Sequence, residues 1–187
     1  MGARVGLVVA VLATHTGSCV YPRAQAVEVP EARATVERAG IVAEVTGLDD
    51  DLAVSFVDGT EVLLSRRQYV IGSQPHPGDL VATGATSDGL TLVAVIPYDE
   101  ELDCYSVYSP AAVRGDSIVL GAGIAVPLSP NATDEDVVGP GDAPAGRRPL
   151  TQDTRFFTHD AACLDSTGHV VRIERGIYEG GDPGEGD

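Results

Sequence analysis

Apolar and polar residues alternate with a period of two along residues 40–64. Three such runs, at residues 41–45, 52–56 and 60–64, are separated by short polar segments. A period of two places successive side chains on opposite faces of a strand. The pattern therefore predicts three antiparallel strands. The dipeptide Asp58-Gly59 between the second and third predicts a hairpin with a type I′ turn.

Two more strands are predicted at residues 79–85 and 90–97, on either side of a turn at 87–89. With the first three they form a five-stranded antiparallel meander over residues 40–98. Its strand lengths and tight hairpins resemble the OB-fold, a small five-stranded barrel, and a plain antiparallel sheet against the second half fits almost as well. The resemblance is architectural and implies no function.

Residues 99–178 are also β-rich, and an all-β fold is expected for the whole chain. Their predicted strands lie at residues 104–108, 117–120, 124–128, 154–164 and 169–177. Residues 129–150, rich in Pro, Gly, Asp and Ala, predict a long exposed loop in which residues 133–136 could begin a short helix. Residues 179–187 predict a disordered tail, because they hold nothing to bury.

The first eighteen residues have the layout of an export signal. Arg4 precedes a nine-residue apolar run at 5–13, and Thr16-Gly17-Ser18 leads to Cys19. This segment resembles a bacterial lipoprotein signal. The resemblance implies cleavage before Cys19, a lipid on its thiol and anchoring to the outer face of the cell membrane. Residues 19–39 are then expected to be a tether.

An ordinary secretory signal, cleaved elsewhere and releasing a soluble protein, is the alternative for this segment. A permanent transmembrane helix is not expected, because such a helix needs about 20 apolar residues. Either signal places the folded part outside the cytoplasm.

Composition narrows the range of partners. The chain has 12 basic residues, all arginine, against 28 acidic ones, and a formal net charge of -16. An acidic surface repels the phosphate backbones that lysine and arginine normally neutralise. Nucleic acid is therefore not an expected partner.

Cysteine usage favours one disulfide. If Cys19 carries a lipid, Cys104 and Cys163 are the remaining pair, and an oxidising compartment favours joining them. Two buried reduced cysteines are the alternative. Zinc is not expected, because neither has a second cysteine or a histidine at the usual spacing.

Candidate catalytic and metal motifs are better explained as structure. A hairpin with His169 opposite Leu164 would separate His159 from His169 by about 17 Å, too far for one metal ion. Asp49-Asp50-Asp51 lacks the alternate spacing of an EF-hand, and Gly121-Ala122-Gly123 lacks the third glycine of a dinucleotide loop. No metal, cofactor or catalytic residue is predicted.

A binding role is the leading functional hypothesis. Arg66 and Arg67 stand beside Tyr69 on an otherwise acidic chain, and Arg and Tyr are enriched in binding hot spots. The sequence therefore predicts a non-enzymatic envelope-interaction domain that contacts a protein partner through these residues. A solvated strand end, with Arg66 and Arg67 paired to neighbouring acidic residues, is the alternative for this segment. A small-ligand or ion-binding lipoprotein and an enzyme with an unfamiliar site remain alternatives.

Overall fold

The computed structural model describes residues 25–48, 51–65, 69–86, 91–136 and 146–176, and these residues form strands and turns with no helix. The strands are β1 (Ala34–Leu48), β2 (Asp51–Phe56), β3 (Glu61–Ser65), β4 (Tyr69–Ile71), β5 (Leu80–Thr86), β6 (Thr91–Ile96), β7 (Tyr98–Asp99), β8 (Cys104–Tyr108), β9 (Pro110–Arg114), β10 (Ser117–Leu120), β11 (Ile124–Asp136), β12 (Arg148–Pro149), β13 (Ala161–Leu164) and β14 (Val170–Arg175). The expected signal, Cys19, the pair Arg66 and Arg67, and the expected tail lie outside the described residues.

The predicted all-β, barrel-like class is confirmed. Strand β1 is long because it serves two neighbours, pairing with β5 along its first half and with β2 along its second. Strand β3 pairs with β2, β4 pairs with β6, and β6 pairs with β5. Only residues 66–68 separate β3 from β4 in the sequence. The strand order β1, β2, β3, then β4, β6, β5, therefore returns to β1. We call this circuit the first barrel.

The second half repeats the same connectivity. Strands β8 and β9 act as one long strand, bent at Ser109, whose φ is 60°. Strand β9 pairs with β10, β10 with β11, β11 with β14, β14 with β13, and β13 with β8. This circuit is the second barrel. Strand β4 runs parallel to β6, and β11 runs parallel to β14, whereas only antiparallel pairing was predicted.

The two barrels share strands β5 and β6, which are buried on both faces. Val81, Val93 and Val95 belong to the core of the first barrel. Their neighbours on the opposite face join the larger core that the second barrel forms, namely Leu80, Ala82, Ala94 and Ile96. Burial on both faces explains why residues 90–97 are nearly continuously apolar.

The predicted tether ends earlier than expected. Strand β1 begins at Ala34, inside the segment 19–39 assigned to the tether. Its first residues lack strong apolar alternation, yet they pair with β5 on one side and with β11 on the other. Backbone pairing on both edges therefore holds these residues in a strand that their side-chain pattern does not indicate.

The predicted loop 129–150 is wrong at its two ends. Strand β11 continues to Asp136 and pairs with β14, and β12 pairs with β11. The short helix considered at residues 133–136 is therefore also wrong. These polar residues hold a strand because Ala132 and Asp134 are buried against the rest of the second barrel.

The hairpin at Asp58-Gly59 is confirmed, but its turn type differs. Gly59 has a φ of 81°, whereas Asp58 does not have a positive φ. The Gly59 N–H donates to the Phe56 carbonyl at 2.9 Å, and the Phe56 N–H donates to the Thr60 carbonyl at 2.8 Å. This is a three-residue loop, a type I turn followed by a left-handed glycine, and not a type I′ turn.

Cys104 and Cys163 lie on the paired strands β8 and β13 at disulfide-bonding distance, as predicted, with 5.4 Å between their Cα atoms. Both residues are buried. A bond here closes a loop across a sequence separation of 59 residues within the second barrel.

We expect peptide mapping without reductant to recover one linked Cys104–Cys163 pair. Loss of the bond should lower the free energy of unfolding by about 4 kcal/mol, because it frees the unfolded chain. Thermal melts of the wild type with and without reductant should differ, whereas a Cys104→Ala, Cys163→Ala variant should not respond to reductant. Two alkylatable thiols in freshly purified protein would contradict the prediction.

Candidate functional site

The predicted binding residues follow directly on strand β3. That strand ends at Ser65 and β4 begins at Tyr69, so Arg66 and Arg67 occupy the connection between them in the sequence. The backbone of Tyr69 pairs with Val93 of β6. The hairpin formed by β2 and β3 is therefore the described surface closest to them along the chain.

The outer side of this hairpin exposes apolar residues. Leu63 is 59% exposed in the middle of β3, and Val57 is 69% exposed at the tip. On the opposite side of the same hairpin, Leu52, Val54 and Leu64 fill the first barrel. We call Val57, Asp58, Glu61 and Leu63 the hairpin surface.

The tip of the hairpin is held by Asp58. Its carboxylate accepts hydrogen bonds from the hydroxyl of Thr60 and, at 2.9 Å, from the Thr60 N–H. These bonds from Thr60, together with the nearby Arg38 guanidinium, lower the pKa of Asp58. The tip is thus a preformed, negatively charged turn.

Strand β1 contacts the hairpin through Arg38 and Gly40. Arg38 reaches Asp58 at 3.3 Å, and its guanidinium lies 5.1 Å from the centre of the Phe56 ring. The ring covers Gly40, where an added Cβ would come within 2.8 Å of it. The absence of a side chain at Gly40 therefore sets how closely the hairpin approaches β1.

Tyr98, on β7, is an exposed aromatic residue just before the second barrel. The Tyr98 ring is 5.4 Å from the Tyr105 ring in an edge-on arrangement, and its hydroxyl contacts the Asp103 carboxylate. That contact with Asp103 raises the pKa of Tyr98, and burial raises the pKa of Tyr105. No sequence motif marks these residues, because tyrosines at this spacing match none.

His169, one of the two histidines considered as a metal site, belongs to the turn between β13 and β14. The Asp165 carboxylate accepts hydrogen bonds from the Thr167 N–H at 2.9 Å, from the Thr167 hydroxyl at 2.6 Å and from the His169 N–H at 3.1 Å. Burial alone would raise the pKa of Asp165, but these bonds outweigh it and lower the pKa. The carboxylate closes the β13–β14 turn. Among the described residues, no group of three or more potential ligands could hold a metal ion.

The most buried charged group of the described chain is centred on Arg175, which sequence analysis also missed. Its guanidinium binds Asp134 through two hydrogen bonds, of 2.6 and 2.8 Å, and also contacts Asp160. It donates to the Arg155 carbonyl at 2.7 Å and lies over the Phe156 ring.

Asp160 is completely buried and also accepts a hydrogen bond from the Phe157 N–H at 2.8 Å. Burial by itself lowers the pKa of Arg175, but Asp134 and Asp160 outweigh it, so the pKa is raised. Asp134 accepts hydrogen bonds from the permanently charged Arg175. Asp160 accepts hydrogen bonds from Arg175 and from backbone N–H groups. The group ties the end of β14 to β11 and to the segment before β13.

Comparison with known proteins found no family model, no curated protein and no solved structure that matches this chain. Within the described ranges, no helix has the length and apolar character needed to cross a membrane.

Replacing Arg175 with methionine should destabilise the fold by about 3–5 kcal/mol, because two buried carboxylates lose their cation. Arg147→Met is the matched control. The Arg147 side chain is 76% exposed and pairs with Glu135 at 3.0 Å. Its loss should cost less than about 1 kcal/mol. Urea unfolding of both variants measures the difference, and equal losses would refute a structural role for the Arg175 group.

Proposed function

We propose that this chain is an exported lipoprotein, anchored through Cys19, whose folded part acts by binding another envelope component. The contact residues proposed are Arg66, Arg67 and Tyr69, together with the hairpin surface. Binding, and not turnover, is proposed as its activity.

The observation that carries this proposal is the exposure of Leu63 and Val57 on the hairpin surface. Large apolar residues exposed beside polar ones occur at many protein contact sites, and Leu63 and Val57 lie on the same hairpin. The sequence that follows β3 adds two arginines and a tyrosine, residue types that recur in binding hot spots. Glu61 and Asp58 supply a charged rim around the apolar residues.

The positions of the carboxylates support binding over catalysis. Asp134 and Asp160 hold Arg175, Asp165 closes a turn, and Asp58 closes another. A general acid or base must be able to exchange a proton with a substrate. Carboxylates committed to an arginine or to backbone N–H groups are poorly suited to that role.

The second barrel is proposed to serve as the support that holds the first. It supplies the larger core and shares β5 and β6 with the first barrel. The hairpin surface lies on the part of the first barrel away from those two strands, since β2 and β3 pair only with β1 and with each other among the described strands.

The lipid anchor is tested by changing Cys19 to Ala. We expect the protein to move from the membrane fraction to the soluble fraction and to lose acyl labelling, because no other segment is proposed to hold it at the membrane. A Cys104→Ala, Cys163→Ala variant controls for the general loss of cysteine and should stay in the membrane fraction. Continued membrane association of the Cys19→Ala protein would contradict the proposal.

The contact site is tested by crosslinking in intact cells. An Arg66→Ala, Arg67→Ala variant should lose crosslinks that the wild type forms, because the site loses its two cations. The chain offers a matched control in its other adjacent arginine pair, Arg147 and Arg148. Alanine at both of those positions should leave the crosslinks unchanged. An unaltered partner profile in the first variant, with its fold intact by circular dichroism, would refute the site.

A further inference from the structure

The segment before β1 is tied to the second barrel from its first described residues. The Gln25 carbonyl accepts a hydrogen bond from the Thr158 N–H at 3.2 Å. Ala26 forms an isolated antiparallel bridge with Phe157. The sequence assigned these residues to a tether. Their bonds instead fix the start of the described chain beside the segment that precedes β13.

Little chain separates this fixed point from Cys19. Gln25 is the sixth residue after Cys19 in the sequence. Because an extended chain spans at most about 3.6 Å per residue, Cys19 can be no farther than about 22 Å from Gln25, whatever conformation residues 20–24 take. With a lipid on Cys19, as proposed above, the second barrel is held close to the membrane at this point.

An exposed tyrosine lies beside the same fixed point. Tyr108, at the end of β8, is 61% exposed and pairs with Ala161 of β13. The next residue, Ser109, donates through its hydroxyl to the Thr158 carbonyl at 3.1 Å. Thr158 therefore bonds to Gln25 through its N–H and to Ser109 through its carbonyl. Tyr108 is one residue away from this link to the segment that leads back to Cys19.

Tyrosine is suited to the surface of a membrane. Its ring is apolar and its hydroxyl is polar, and tyrosine is enriched where membrane and water meet. A single contact of this kind is weak, but a short connection to an anchored group keeps the effective concentration of the partner surface high. The formal net charge of -16 does not attract the chain to anionic lipid. Contact at Tyr108 therefore depends on the anchor and not on charge.

We propose that the surface around Tyr108 and Thr158 rests against the lipid headgroups, so that this side of the second barrel faces the membrane. The proposal rests on the lipid anchor under Proposed function. The hairpin surface belongs to the first barrel and lies away from the strands that the two barrels share. It is left open to the envelope component that the chain is proposed to bind, while the membrane occupies the surface around Tyr108.

Single tryptophans test this orientation, because the chain contains no tryptophan of its own. Tyr108→Trp is the reporter. Leu63→Trp is the matched control, since Tyr108 is 61% exposed and Leu63 is 59% exposed. Each lipidated protein is reconstituted into phosphatidylcholine vesicles, with and without a nitroxide quencher on part of the lipid headgroups. The nitroxide should reduce the emission of Tyr108→Trp and leave that of Leu63→Trp unchanged.

Gln25→Trp is a second reporter, exposed at the fixed point itself, and its emission should also fall. It decides the test if Tyr108→Trp does not keep the parent's circular dichroism spectrum. In a Cys19→Ala background, the same reporters added to the same vesicles should lose no emission, because the short connection to the lipid is absent.

Flotation of the vesicles separates this proposal from the proposed function. Protein that does not float with the vesicles would overturn the anchor and the orientation together. Folded protein that floats but shows no quenching at position 108, or equal quenching at positions 63 and 108, would overturn the orientation alone. Quenching that persists in the Cys19→Ala background would overturn the dependence of this contact on the anchor.

Discussion

Burial of β5 and β6 on both faces is the constraint on which the rest of the structure depends. Each large apolar side chain withdrawn from water contributes about 2 kcal/mol, and these two strands contribute to two cores at once. Neither barrel can be separated from the other without exposing one face of this pair. The two circuits of strands therefore behave as one folded unit.

The shared connectivity of the two barrels explains where the exposed surfaces fall. In the first barrel β6 pairs in parallel with β4, and in the second β14 pairs in parallel with β11. In the first barrel, β2 and β3 lie away from the shared strands. That position leaves the hairpin surface in solvent, where the proposed contact would form.

Buried charge in the second barrel has a structural role. Asp134, on β11, and Asp160, before β13, meet Arg175 at the end of β14. A buried ion group of this kind stabilises a fold little compared with an apolar core, but removal of one partner is costly. It therefore specifies which segments come together, and it holds a polar stretch of β11 in the sheet.

Much of the first barrel could be predicted from the sequence because its signals are local. Alternation of apolar residues marked β2 and β3, apolar runs on either side of a turn marked β5 and β6, and Asp58-Gly59 marked a hairpin. The turn type was missed, since an Asp-Gly pair is compatible with more than one loop length. The predicted contact residues Arg66 and Arg67 remain a hypothesis, to which the structure adds the exposed apolar residues on the strand before them.

The sequence by itself determined the all-β class, most strands of the first barrel and the partnership of Cys104 with Cys163. Only the tertiary structure decided the second barrel, because its parallel closure joins strands that are distant in the chain. The end of β11 shows the reason most clearly. Its residues are polar and predict a loop, yet Asp134 is buried because a cation 41 residues away neutralises it. The sequence pattern of one segment reflects the structural preference of that segment alone. It cannot show which distant side chain will pair with a residue in the segment.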